Sequence, residues 1–305
     1  MSAPPFERPP FQRAVVPLDG SALAEAALDP VSRLVPRGQG KLYLLRVVEA
    51  PEPPEVEVTD ERFAAAWTAL REVELRARDL PHELESHVLT GEPAQAILRL
   101  AEDVSADLIA MSTHGRGGFE RLVFGSVAEQ VLAATQVPLL LVNPSGAGRL
   151  EEGFPRVLVP LDGSRESAQI LPLVEEVALR CASTVVLLHV RAPSTAAADA
   201  QAASAALGAS VEALRAAGVD VHARETSGPP AREILEVARQ ERASLLALAT
   251  RGRHAGRGAL SRWLLGSVAD EVLRAARCPL LTLRVEAERP AGARGLSLGG
   301  AAPRS

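Results

Sequence analysis

Between Ser112 and Val127 the chain spaces glycines and hydroxyls in a way that suits an anion. Gly115, Gly117 and Gly118 let backbone N–H groups approach a ligand without interference from a Cβ, and Arg116 adds a charge-assisted donor. Gly125-Ser126-Val127 presents further N–H groups and a hydroxyl at an expected helix start, where the helix dipole favours negative charge. An oligophosphate is the natural occupant of such a nest. A second passage, Pro17-Leu18-Asp19-Gly20-Ser21, turns the chain out of an apolar run and places a carboxylate there.

Several familiar chemistries fail on spacing. No Gly-x-x-x-x-Gly-Lys-Ser/Thr phosphate loop is present, and Lys41 is the only lysine in the chain. A dinucleotide fingerprint should follow the first strand directly, yet that place holds Pro17 to Ser21 with a single glycine. Neither Ser126 nor Ser267 sits in the Gly-x-Ser-x-Gly of a nucleophile elbow. His114, beside Gly115, is the one plausible general base, but no second histidine repeats it, and it reads as a hydrogen-bonded loop residue. His82, His87, His189 and His222 lack compact ligand spacing and read as surface or sheet residues. No catalytic residue and no metal ligand is assigned.

The candidate residues occur twice. Val15 to Ser21 returns as Leu158 to Ser164, with Pro160 and Asp162 in the places of Pro17 and Asp19. Gly91 to Leu98 is echoed by Gly228 to Leu235. The late glycines return as Gly256-Arg257-Gly258-Ala259 and Gly266-Ser267-Val268. The offsets are 143 (162 minus 19), 137 (228 minus 91) and 141 (266 minus 125), so a whole domain is repeated with small insertions. The expected organisation is a first domain at 11–144, a linker at 145–154 and a second domain at 155–287. Residues 1–10 and 288–305 are expected to be flexible.

The elements that must position these residues alternate in type. In the first copy, Arg13 to Pro17 predicts a strand, Ser21 to Leu34 a helix, Leu42 to Val48 a strand, and Asp60 to Leu80 a long helix packed through Phe63, Trp67, Leu70, Val73 and Leu75. His87 to Leu89, Leu108 to Met111 and Pro138 to Val142 predict further strands, with helices over Pro93 to Val104 and near Gly125 to Ala134. The second copy repeats the order, its first helix spanning Ser164 to Arg180. Strands apolar throughout, alternating with helices, specify a parallel α/β sheet covered on both faces. A ligand then belongs beyond the carboxyl ends of the strands, where strand order reverses.

The chain resembles a tandem member of the universal stress protein family. Nucleotide-binding members carry Gly-x2-Gly-x9-Gly-Ser/Thr after the fourth strand and an Asp after the first. In copy one the matching positions are Ser112, Gly115, Gly125 and Ser126, with serine replacing the first glycine. In copy two Gly256, Gly266 and Ser267 keep the nine-residue interval, while the first position falls on Arg253. A segment there, from Thr250 to Ala255, makes the loop four residues longer, and its arginines either contact phosphate or obstruct it.

The resemblance implies two Rossmann-like domains of the adenine nucleotide alpha hydrolase type, each a five-stranded parallel sheet. It implies ATP, accompanied by Mg²⁺, as the ligand. Asp19 and Asp162 would lie by the nucleoside, backbone at Val47 or Val190 would read the adenine edge, and the glycine loops would hold phosphates. It also implies antiparallel pairing of the two fifth strands, an internal pseudo-dimer; association of two chains is left open. The expected role is a nucleotide-responsive binding module with an unspecified protein partner and at most slow ATP hydrolysis. The competing expectation is a nucleotide-free scaffold.

Composition narrows the partners. A formal net charge of -5 without a long basic block disfavours nucleic acid. No apolar run reaches the roughly 18 residues of a membrane span, and no secretory leader pattern follows Met1, so a cytoplasmic protein without a membrane partner is expected. Cys181 and Cys278 fall at non-equivalent places and read as small buried apolar residues rather than a disulfide or metal pair.

Overall fold

The computed structural model describes residues 10–49, 60–113, 125–144, 153–192, 196–251 and 266–285, and the structural statements concern these. The first copy runs β1 (Arg13–Pro17), α1 (Ala22–Glu25), α2 (Leu28–Leu34), β2 (Lys41–Val48), α3 (Asp60–Ala77), β3 (Glu83–Thr90), α4 (Pro93–Asp103), β4 (Leu108–Ser112), α5 (Ser126–Ala134) and β5 (Leu139–Val142). The second runs β6 (Arg156–Pro160), α6 (Arg165–Ala168), α7 (Leu171–Cys181), β7 (Thr184–Arg191), α8 (Ala197–Ala216), β8 (Asp220–Ser227), α9 (Pro230–Gln240), β9 (Leu245–Arg251), α10 (Ser267–Ala275) and β10 (Leu280–Val285).

Ten strands form one sheet in the order β3-β2-β1-β4-β5-β10-β9-β6-β7-β8. Pairing is parallel within each copy and antiparallel where the copies meet, with Leu139, Leu140 and Leu141 opposite Thr282, Leu281 and Leu280. The two fifth strands therefore join as the family resemblance implied. Polar groups fasten the seam: Asn143 Nδ2 donates to the Ala276 carbonyl (3.3 Å), Thr282 Oγ1 to the Leu139 carbonyl (3.4 Å), and Arg284 to the Ala133 carbonyl. Arg274 reaches Glu129 across the same boundary at 3.4 Å.

Each sheet face carries its own core because successive residues of a strand point to opposite sides. Ala14 and Val16 pack with Val31, Leu34, Leu70 and Val73 under α2 and α3, while Val15 packs with Ile97, Leu100 and Val131 under α4 and α5. The second copy divides in the same way, Val157 and Val159 facing α7 and α8, and Leu158 facing α9. Burial of both faces is why these strands read as apolar runs. Each fully buried Val or Leu side chain contributes about 1.5–3 kcal/mol, so the sheet is a rigid floor for the loops at its edge.

Three local expectations are corrected. The first helix of each copy is two pieces, broken near Ala26–Ala27 and Gln169–Ile170. Pro30 and Pro172 are the cause: a proline deep in a helix loses one hydrogen bond and clashes with the carbonyl four residues earlier, here Ala26 and Ala168. Restarting the helix at Leu28 and Leu171 puts each proline in a first turn, where its missing N–H is tolerated. Helix α3 stops at Ala77 rather than Leu80: Pro81 has no N–H to donate to the Ala77 carbonyl, which Leu80 N–H takes instead in a tighter turn (2.9 Å). Its buried stripe is Ala66, Leu70, Val73 and Ala77; Trp67 and Leu75 lie off that stripe, 36% and 66% exposed, and do not pack the helix onto the sheet.

Candidate functional site

Strand β1 lies between β2 and β4, and strand order reverses there, so the first loop leaves the sheet at its switch point. Pro17 is in register with Leu45, and Leu18 N–H still donates to the Leu45 carbonyl (2.8 Å) before the chain turns away. Gly20 has φ +84°, a conformation only glycine adopts cheaply. Asp19 Oδ1 accepts from the Ser21 N–H (2.8 Å) and hydroxyl (2.6 Å), and Ser21 Oγ accepts from Ala24 N–H (3.2 Å), capping α1. The carboxylate is thus oriented by its own turn.

Copy two reproduces this geometry closely. Leu161 N–H donates to the Leu188 carbonyl (2.8 Å), and Gly163 has φ +83°. Asp162 Oδ1 accepts from the Ser164 N–H at 2.9 Å and from its hydroxyl, and Ser164 caps α6 through Ser167 N–H at 3.1 Å.

Beyond Leu45, strand β2 outlasts β1. Leu45 turns its carbonyl toward β1, so the two-residue alternation of a strand turns the backbone groups of Val47 to the same side, toward the gap left as β1 departs. Val190 stands two residues past Leu188 in the same relation to β6. Of the intervening residues, Arg46 was assigned no role from the sequence and His189 reads there only as a surface or sheet residue. Arg46 Nη1 donates to the Leu18 carbonyl (3.1 Å), and His189 Nδ1 lies 3.0 Å from the equivalent Leu161 carbonyl. The signal available was one polar residue inside each apolar second strand.

On the other side of β1, Ser112 ends β4 and is buried. Thr113 N–H donates to the Val142 carbonyl and Gly125 N–H to the Thr113 carbonyl, both at 2.9 Å, so Thr113 and Gly125 are joined directly at the end of β4. A Cβ on Gly125 would stand 3.3 Å from the Thr113 oxygen, a tight approach. Gly125 caps α5 without a side-chain hydrogen bond, as Gly266 caps α10, leaving the first-turn N–H groups of both helices without a side-chain partner at the cap. Ser126 and Ser267 are exposed at these helix starts, with Val127 and Val268 half-buried behind them. Pro17, Asp19, Gly20, Val47, Ser112, Gly125, Ser126 and Val127 thus lie at one sheet edge, and Pro160, Asp162, Val190, Gly266, Ser267 and Val268 at the matching edge of copy two. Gly115, Arg116, Gly118, Gly256 and Arg257, with His114 and Arg253, lie outside the described residues.

The longer second loop is partly strand. Thr250 and Arg251 extend β9 opposite Arg284 and Val285, whereas in copy one the corresponding pair ends at Ser112 and Val142. Two of the residues expected in the loop are therefore further rungs of the sheet, stabilised by the matching extension of β10.

Among the described residues, several perturbed titratable groups lie away from this edge. Burial raises the Asp107 carboxyl, which accepts from Gln12 and Arg13 N–H at the opposite, amino edge of the sheet. Burial likewise raises Cys181 and pushes the Cys278 thiol up to about 11, away from nucleophilic thiolate character. Both cysteines are free and partly buried. Among the described residues, no group of three His, Cys, Asp or Glu side chains is placed to hold a metal, and no helix is long and apolar enough to cross a membrane.

The universal stress protein family model matches residues 10–143 and again 153–284. The chain belongs to the universal stress protein family. A universal stress protein of Methanocaldococcus jannaschii is 30% identical over 140 residues, covering 44% of this chain and 82% of that protein. One from Bacillus subtilis is 27% identical over 147 residues, covering 44% of this chain and 99% of that protein. The whole tandem arrangement has a counterpart in the crystal structure of a universal stress protein from Archaeoglobus fulgidus, at TM-score 0.72 and 23% identity over 91% of this chain and 98% of that one. That likeness shows the fold: two mostly parallel α/β units covered by helices. Membership places the protein in a family associated with the stress response.

Proposed function

We propose that the protein is an ATP-responsive regulatory module of the cytoplasmic stress response, with an adenine-nucleotide site at the carboxyl edge of each copy. The observation that carries the reading is the convergence at the strand-order switch of an oriented carboxylate (Asp19), a strand end with backbone groups turned into the gap (Val47), and an N-cap without a side chain (Gly125). Asp19 and Val47 take the nucleoside side, and Gly125, Ser126 and Val127 the phosphates, joined by Gly115, Arg116 and Gly118. In copy two, Asp162, Val190, Gly266, Ser267 and Val268 take the same roles, with Gly256 and Arg257 on the phosphate side. Mg²⁺ accompanies the phosphates.

At most slow hydrolysis is proposed for such a site, with Asp19 Oδ1 engaged by two hydrogen bonds from Ser21 in holding the turn. Regulation follows from occupancy: ATP favours whichever loop arrangement binds it better, and a protein partner reads the change.

Calorimetry with MgATP and mass spectrometry of nucleotide released on denaturation test the reading. Gly125→Asp puts a carboxylate into the phosphate nest and is expected to weaken ATP binding to copy one at least about tenfold, equivalent to about 1.4 kcal/mol. Gly266→Asp asks the same of copy two, where a Cβ meets nothing within 4 Å, so loss there reads charge rather than fit. A scaffold reading is favoured by one observation, the continuous ten-stranded sheet in which the two copies pair through β5 and β10. Absence of both binding heat and released nucleotide decides for the scaffold.

A further inference from the structure

The strand-one loops of the two copies are held by different side chains at the same place. Leu45 pairs with Pro17 and Leu188 with Pro160, so Arg46 and His189 stand one residue past equivalent register positions. Both lie on the face covered by the long helix of their copy, Arg46 between Leu44 and Val48 and His189 after Leu187. Each reaches the carbonyl of the residue just before the site aspartate: Arg46 Nη1 to Leu18 O at 3.1 Å, His189 Nδ1 to Leu161 O at 3.0 Å. The N–H of that same residue is bonded to strand two as well, at 2.8 Å in both copies. The peptide groups that lead into Asp19 and Asp162 are thereby gripped from both sides by strand two.

The carbonyl contact fixes the roles of the imidazole nitrogens. A carbonyl only accepts, so Nδ1 carries the hydrogen and donates. Nε2 is buried and has no hydrogen-bond partner, and the ring as a whole is 5% exposed. The ring's one hydrogen bond to the protein is thus the one to the loop.

We infer that Arg46 and His189 are positioning residues that set the direction of Asp19 and Asp162, one through a charge-assisted guanidinium bond and the other through a single ring N–H. This rests on the proposed nucleotide sites. Neither residue needs to touch the ligand. Their difference makes the two loops unequally stiff: a charge-assisted bond is roughly twice as strong as a neutral one, so the first loop is held harder.

The test uses the full chain, with copy one isolated by Gly266→Asp and copy two by Gly125→Asp. Arg46→Met and His189→Leu remove the donors while filling the space; Arg46→Lys and His189→Asn return one, the Asn amide standing close to where Nδ1 was. ATP affinity by calorimetry and amide hydrogen exchange over residues 18–21 and 161–164 are read together. Expected are a loss of about tenfold in affinity for Arg46→Met and about threefold for His189→Leu, each confined to its own copy. Exchange should quicken in that copy's loop alone, and the donor-restoring variants should recover to within about twofold. Unchanged exchange and affinity, or equal changes in both copies without recovery by Lys or Asn, overturn the inference. If the parent chain binds no ATP, the nucleotide reading falls, and exchange confined to the mutated copy's loop decides the positioning role by itself.

Discussion

Gly163 and Gly218 provide a matched pair for measuring how closely helix α8 presses on the second site loop. Their φ values are +83° and +89°, so alanine at either position meets the left-handed backbone penalty of about 1–2 kcal/mol. Around Gly218, which follows the end of α8, an added Cβ meets nothing within 4 Å. At Gly163 the same atom would lie 2.7 Å from Ala203 Cβ and 2.8 Å from Ala203 Cα. The second of those atoms is backbone, and α8 cannot retreat without disturbing buried Ala203, Leu207, Val211 and Leu214. Overpacking of this kind costs about 1–3 kcal/mol. Gly218→Ala should therefore lose about 1–2 kcal/mol and Gly163→Ala about 2–5 kcal/mol. Urea denaturation followed by far-ultraviolet circular dichroism, comparing midpoints at constant slope, measures both. Equal losses would refute the close approach, and a smaller loss at Gly163 would mean that the loop sits differently on the helix.

Other perturbations follow from named contacts. Glu92 caps α4 by accepting from Ala94 N–H (3.1 Å) and Gln95 N–H (2.8 Å), so Glu92→Ala should cost about 1 kcal/mol in the same denaturation assay. Arg224 and Arg156 hold the Glu241 carboxyl below its usual range, so its stabilisation is complete above the ordinary Glu value of 4.5 and disappears as pH falls through the lower folded value. Glu241→Gln should accordingly lose about 1 kcal/mol at pH 7 and converge with the parent protein in strong acid, as read from urea midpoints across pH. Residues 1–144 expressed alone expose the β5 edge, Leu139 to Val142, that β10 covers in the full chain; self-association in analytical ultracentrifugation is expected, and a monodisperse monomer would count against the seam.

Much of the fold was legible because the relevant physics is local. Val15 and Val16 announce a strand buried on both sides, Pro93 and Pro230 mark helix starts, and the repeated Pro-Leu-Asp-Gly-Ser places a turn after each first strand. Pro30 and Pro172 carried equally plain information that the apolar periodicity around them obscured. Trp67 misled for another reason: its size suggests burial, but helical phase places Ala66 and Leu70 inward and leaves Trp67 beside them. The extension of β9 through Thr250 and Arg251 depends on partners more than thirty residues away in β10, which no local pattern reveals. Within the candidate site, Asp19 and Gly125 stand out by residue type, whereas the contacts of Arg46 and His189 depend on the register between two strands.

The antiparallel meeting of β5 with β10 also sets what inheritance can do to this protein. When two identical chains pair, each substitution appears on both sides at once, and no change can be tried on one side alone. Here both partners are encoded in one polypeptide, always present one to one, and a codon change alters a single side of the seam. Arginine at 46 beside histidine at 189, and aspartate at 107 where the second copy has Ser244, are differences that a symmetric pair has no means of holding. Joining the copies into one chain therefore makes room for two unlike responses within one molecule.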